Sequence, residues 1–416
     1  MNPTNTTRLK RIEQRKKMFK IGALTLGLLL IIGFGLMLSR LRGFYNKINT
    51  GAVDSKTQQA KEKTEYNILL LGYGGGNHDG TYLTDTIMVA NMNLKDKKVV
   101  LVSIPRDIWV QVPTKTDPFH TKINAVYQMG LFPKNYPDVD SSLLTKDNPS
   151  GLIKKVVENI TGLPIDAYFA VDFQGFIQTI DTLNGIDVEV KKSFTDYEYP
   201  IEGKEEELCD KEEEFKQIEP FLKPGYNEED KTKLFQEKPE LEEFFNNITD
   251  DPEKAFPCRY ETLTFDKGTV HMDGETALKF ARSRHSEEDG GDYNRAHRQQ
   301  QVLSAVKDKV LRIDFIPKIL PLMNDLENNV ATDMPLADIN KLLLEGRNAN
   351  TYKVTSFVVS EDYLSFDVSD NGQSIVVPTS GLDNWSDIKQ KVRDVRLGIS
   401  PTPTKAPVTI TPAKNK

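Results

Sequence analysis

The chain has 416 residues, 38% hydrophobic and 28% charged, with a formal net charge of −7. That length suits two or three average domains, or one large domain with appendages, and the acidic balance argues against nucleic acid as a partner. The five histidines are scattered, and no Cys/His zinc spacing, G-x-S-x-G elbow or Ser-His-Asp arrangement is visible.

The first element is apolar. "IGALTLGLLLIIGFGLMLS", residues 21–39, carries no charge and as a helix spans roughly 28 Å, about the hydrocarbon thickness of a bilayer. "RLKRIEQRKKMFK" precedes it, while only Arg40, Arg42 and Lys47 follow closely. The positive-inside rule therefore puts residues 1–20 in the cytoplasm and the rest of the chain outside. The run is longer than a signal-peptide core and no small-x-small site follows it, which predicts a retained single-pass anchor. Residues 40–65 are polar and aperiodic and read as a linker.

Next come "YNILLLGYG", "TIMVANMNL" and "KVVLVSIP", short apolar runs with the look of buried strands in one sheet. "GLIKKVVENITG" has helical periodicity and stops at a glycine, "IDAYFAVD" reads as a strand, "FQGFIQTIDTLNG" as a helix and "IDVEV" as a strand. Strands alternating with helices predict a layered α/β domain, here over 66–195 and 260–398. Between them, 196–259 is an acidic, mostly helical insertion bracketed by Cys209 and Cys258. Both cysteines lie in the part placed outside the cell, so a disulfide is expected, contributing roughly 4 kcal/mol by loop closure. Beyond it, "GTVHMDGETALKFARSR" and "YNRAHRQQQVLSAVKDKVL" predict two helices. "DNWSDIKQKVRDVRLG" predicts the last one, and the Pro/Thr-rich residues 399–416 a disordered tail.

Three segments carry chemistry. In "LGYGGGNHDGTYLTDT", residues 71–86, glycines allow close backbone approach to a ligand, and Asp79 and Asp85 are hard oxygen donors suited to Mg²⁺. The competing reading is an ordinary turn. In "SIPRDIWV", Arg106 and Asp107 follow a buried strand, where open α/β sheets bind ligands; a structural turn is equally consistent. In "FARSRHSEEDGGDYNRAHRQQQ", Arg282, Arg284, Arg295 and Arg298 are gathered. At about 6 Å and an effective dielectric near 20, each pair of guanidinium groups costs on the order of 3 kcal/mol. A polyanion at their centre removes that cost, as does spreading into water. Arg295, Arg298 and Gln299 fall at i, i+3 and i+4, predicting a shared helix face that Asp292 or Asn294 caps. Forked arginines in this arrangement favour bidentate phosphate contacts.

These segments in order, with "KINAVYQMG" and "FQGFIQTIDTLNGIDVEV", resemble the LytR-CpsA-Psr family over roughly residues 65–195 and 260–330. The resemblance implies a mixed central sheet flanked by helices, an αβα sandwich, with a groove for a polyprenyl chain. It implies Mg²⁺-dependent transfer of a phosphorylated glycopolymer from an undecaprenyl-pyrophosphate carrier to a cell-wall hydroxyl, usually on peptidoglycan. By motif position, Asp85 matches a metal-binding aspartate and Arg106 a catalytic, pyrophosphate-binding arginine. Arg282, Arg284, Arg295, Arg298 and Gln299 match the pyrophosphate clamp, and Lys122 a basic residue before the "IN-A" run. Asp107 or Asp85 is the candidate base. One position departs from the pattern: Gly74 stands where the family usually has a second aspartate, leaving Asp79 as the substitute. A lipid pyrophosphatase and a non-catalytic, lipid-binding regulatory protein remain as alternatives.

Overall fold

The computed structural model describes residues 39–50, 63–76, 80–144, 149–223, 225–310, 326–346 and 351–399. The expected cytoplasmic tail, most of the expected anchor and C-terminal tail, and much of the linker lie outside them. Among the described residues no helix is long and apolar enough to cross a membrane.

Three antiparallel strands open the domain: β1 (Glu65–Tyr73), β2 (Thr84–Asn93) and β3 (Lys98–Ser103). A hairpin of β4 (Trp109–Val112) and β5 (Phe119–Lys122) follows. Then come α1 (Gly151–Thr161), β6 (Ala167–Asp172), α2 (Phe173–Thr182), β7 (Ile186–Val190) and β8 (Phe194–Pro200). The insertion holds α3 (Glu212–Ile218), α4 (Glu228–Glu237), α5 (Pro239–Asp250) and α6 (Pro252–Ala255). After it run β9 (Tyr260–Phe265), β10 (Gly268–Met272), α7 (Gly274–Arg282), α8 (Gly291–Val310), β11 (Val330–Thr332), α9 (Leu336–Gly346) and β12 (Lys353–Val358). A second hairpin, β13 (Leu364–Val368) and β14 (Ser374–Pro378), and α10 (Ser386–Leu397) complete the order.

The central sheet is mixed, in the order β11-β6-β1-β2-β3-β12. The β1–β6 and β3–β12 pairs are parallel and the others antiparallel. Alternation along the strands sends Leu69, Leu71, Val89 and Val102 to one face, where α1 and α10 bury them with Ile153, Val157, Ile388 and Val392. Met88, Ala90 and Leu101 point to the other face, against Leu303 of α8. Two layers of helix on one sheet thus give the αβα arrangement.

Two local expectations change. "GTVHM" is β10, paired antiparallel with β7, and the helix starts only after Asp273, whose side chain accepts from the Thr276 amide at 2.8 Å. The β-branched residues and a ready edge partner favour strand there, and the aspartate cap begins the helix. The insertion has its own apolar cluster, including Ile218, Phe235, Leu241, Phe244 and Phe256, and Cys209 is joined to Cys258. Its flanking strands continue inward: β8 and β9 pair from Phe194–Phe265 out to Pro200–Tyr260.

Candidate functional site

β1 and β6 end where β2 begins, and the chain leaving β3 turns at Pro105 to present Arg106. Here a cavity of about 750 Å³ opens between the sheet and helices α2, α7 and α8. Its lining includes the polar side chains of Asp85, Arg106, Arg282, Arg284, Arg295 and Gln299. It also includes the apolar side chains of Phe169, Val171, Phe176, Ile180, Val302 and Leu303.

Arg106 is clasped by carboxylates. It donates from Nη1 to Asp85 Oδ1, and its Nε stands 3.4 Å from Asp107 Oδ2. Lys122 Nζ donates to the other Asp107 oxygen at 2.7 Å. Burial alone would lower the Arg106 pKa, but Asp85, Asp107 and Asp292 outweigh it and hold the guanidinium above its ordinary value. Burial likewise works against the Asp107 carboxylate, yet Lys122, Arg106 and Arg295 keep its pKa below the usual range. A carboxylate so held is a poor proton acceptor. Asp107, one of the two candidate bases, and Lys122, the expected phosphate contact, do not line the cavity; they form an ion-pair chain beside Arg106.

Arg295 is 6% exposed and pairs with Asp292 at 3.0 Å. Burial pulls its pKa down, and the nearby Arg106 and Arg284 add to that against Asp292 and Asp85. Arg106, Arg284 and Arg295 therefore converge, and an anion among them relieves the repulsion. Arg282 stacks its guanidinium 4.5 Å from the centre of the Phe173 ring, with Tyr199 on another side. Gln299 joins Arg295 on the cavity wall.

Arg298 does not. It is 1% exposed and saturated by protein acceptors: Nε donates to the Phe280 carbonyl at 3.1 Å, Nη1 to the Asp289 carbonyl and carboxylate, and Nη2 to the Ser283 carbonyl. Successive helix positions are about 100° apart, so packing that turns Gln299 to the cavity turns Arg298 into the protein. Expected as a clamp residue, it is instead a bolt between α8 and the end of α7. The expected capping also changes. The helix already begins at Gly291, so Asp292 and Asn294 stand within its first turn, and Asn294 donates back to the Gly290 carbonyl at 2.9 Å.

Two carboxylates on the wall had no signal in the sequence motifs. Asp172 ends β6, caps α2 by accepting from the Gly175 amide at 2.7 Å, and lies beside the glycine loop. A Cβ built on Gly75, whose φ is +72°, would stand only 2.9 Å from Asp172 Cβ. Burial raises the Asp172 pKa, opposed by the Gly175 amide. Asp196 of β8 is 1% exposed and bonded to residues 283–285. Only the strand pairing brings either carboxylate to the site.

Asp79 lies outside the described residues, Gly74 supplies no side-chain donor, and among the described residues no three His, Cys, Asp or Glu side chains gather to hold a metal. Mg²⁺ keeps several waters and commonly takes one or two carboxylates plus substrate phosphate. Asp85 on the cavity wall fits that smaller demand, with one oxygen engaged by Arg106.

Comparison with known proteins agrees with the fold. The profile of the LytR_cpsA_psr family matches residues 42–391. The chain is 27% identical over 300 residues to the polyisoprenyl-teichoic acid–peptidoglycan teichoic acid transferase TagV of Bacillus subtilis, a match over 71% of this chain and 55% of TagV. It is 27% identical over 360 residues to the transferase of the same description, TagU, of Oceanobacillus iheyensis, covering 82% of this chain and 84% of that one. The crystal structure of protein gbs0355 from Streptococcus agalactiae superposes with a TM-score of 0.51 at 17% identity, over 83% of this chain and 91% of that one.

Proposed function

This chain belongs to the LytR_cpsA_psr family, and on that premise we propose that it transfers a phosphorylated glycopolymer from a polyprenyl-pyrophosphate carrier to a hydroxyl of peptidoglycan. The observation that carries the proposal is the mixed lining of the cavity. Its guanidinium groups suit a pyrophosphate, and its apolar side chains suit an attached hydrocarbon chain. Neither a nucleotide nor a free sugar phosphate has use for so much apolar wall. The relatives named above are transferases of this kind.

In the proposed reaction the acceptor hydroxyl oxygen attacks the glycan-bearing phosphorus. The bond from that phosphorus to the bridging oxygen breaks, and the bridging oxygen leaves with polyprenyl monophosphate. Arg106, Arg282, Arg284 and Arg295 hold the two phosphates in line and neutralise charge that moves onto the bridging oxygen. Asp172, with its raised pKa, takes the hydroxyl proton. Asp85 would hold Mg²⁺, which supplies further charge neutralisation at the phosphate oxygens. We further propose that residues 21–39 anchor the protein with this domain outside the cytoplasm, where peptidoglycan is found.

Gly74 favours one second reading, a lipid-binding protein without turnover, because it removes an oxygen donor from the loop. Incubating the full chain in detergent with a polyprenyl-pyrophosphate glycan, Mg²⁺ and peptidoglycan separates the two. Glycan on the wall polymer, with loss of donor, supports the transferase; free phosphorylated glycan indicates a hydrolase; tight binding of an intact donor indicates the second reading.

A further inference from the structure

Arg284 is largely solvent-exposed, so burial does not hold it in place, yet the proposed clamp needs it fixed. The restraint comes from a strand far away in sequence. At Asp196 the β8–β9 register breaks before pairing resumes at Tyr199, the kind of irregularity that re-aims a side chain. Asp196 Oδ2 accepts from Ser283 Oγ at 2.6 Å, from the Arg284 amide at 3.0 Å and from the His285 amide at 3.2 Å. Its Oδ1 accepts from the Glu198 amide at 3.0 Å.

Ser283 follows the last residue of α7, with φ −51° and ψ 139°, and is 1% exposed. Asp196 grips it there, while Arg282 and Arg284 on either side both line the cavity. Two residues along β8, Glu198 Oε2 is 2.7 Å from His285 Nδ1, and Arg284 Nε donates to His285 Nε2 at 2.9 Å. One strand thus restrains both the backbone of the arginine arm and the guanidinium at its end.

We propose that Asp196 is a positioning residue for pyrophosphate binding, acting through the backbone of residues 283–285 to present Arg282 and Arg284. The proposal rests on the reading of the cavity given above. A carboxylate 1% exposed that spends its acceptors on three consecutive residues is suited to that task. Burial opposes its charge, while the bonds from Ser283, His285, Glu198 and Arg284 hold its pKa below the usual carboxylate range.

The test uses the full chain, inorganic pyrophosphate as probe, and amide hydrogen exchange over residues 283–290. Asp196→Asn is expected to weaken pyrophosphate binding about ten-fold or more and to speed exchange of the 284 and 285 amides, since charge-assisted bonds become neutral ones. In an Arg284→Ala background the same change should cost less than about three-fold, because much of what it positions is gone. Equal losses in both backgrounds, or unchanged exchange, would overturn the proposal and leave Asp196 a structural residue. Should Asp196→Asn fail to fold, Ser283→Ala removes one bond only and is expected to give a smaller loss in the same direction; no loss would count against the idea. Wild-type protein that ignores pyrophosphate would overturn the functional reading instead, while the exchange measurement still decides whether Asp196 holds the arm.

Discussion

Lys122 Nζ and Asp107 Oδ1 are 2.7 Å apart, and the opposite oxygen of the same carboxylate faces Arg106 Nε at 3.4 Å. Lys122 thus reaches the proposed phosphate site through two intermediaries. Lys122→Met should lower turnover about ten-fold with little change in lipid-donor affinity, because Arg106 loses its orientation and keeps its charge. Single-turnover kinetics beside donor binding would check this. A parallel collapse of donor affinity would show that Lys122 contacts the phosphates directly.

Arg298 and Arg284 should separate cleanly. Arg298→Lys leaves the carbonyls of Phe280, Ser283 and Asp289 short of donors in a buried place. A loss of about 3 kcal/mol is expected, seen as a melting temperature lower by several degrees in the absence of any ligand. Arg284→Ala should leave melting nearly unchanged and weaken, without abolishing, pyrophosphate binding. Calorimetry on both variants decides it.

Acid should destabilise this end of the molecule. Asp107 and Asp196 have folded-state pKa values below their unfolded ones. The stability they contribute is present above the unfolded value of about 4 and is lost as pH falls toward the depressed folded values. Asp172 has the opposite sign: with its pKa raised, the ionised form costs stability at neutral pH, and that cost disappears on acidification. Denaturant midpoints measured from pH 7 to pH 3 should therefore fall less steeply in Asp107→Asn than in wild type.

Asp172→Asn provides a second check. Asparagine retains the α2 cap, so folding should persist or improve slightly at pH 7. Turnover should fall at least about a hundred-fold if this carboxylate takes the acceptor's proton. Activity within a few-fold of wild type would exclude that role.

Mn²⁺, in place of Mg²⁺, gives a readout independent of activity. Its spin-resonance signal should quench on titration with wild-type protein plus pyrophosphate and persist with Asp85→Asn, since Asp85 is the wall carboxylate proposed to hold the metal. Equal quenching by both proteins would place the ion elsewhere.

Much of the molecule was legible without coordinates because the signals are local. Strand and helix periodicity, the glycine that ends α1 and the family motifs are each written in a short stretch of chain. Arg106, Arg282, Arg284, Arg295 and Gln299 could be named from their motifs, and all five line the same cavity. The sequence determined by itself which elements form, which charges they carry and which family the chain resembles. Only the tertiary structure decided that Arg298 turns inward while its neighbour Gln299 faces the cavity, that Asp107 restrains Arg106, and that Asp172 and Asp196 belong to the site at all. The reason is physical: periodicity records which residues are apolar, whereas the rotation of a helix and the partner of a carboxylate are set by packing. The bond from Arg284 to Asp196 joins residues 88 positions apart, and no local pattern encodes it.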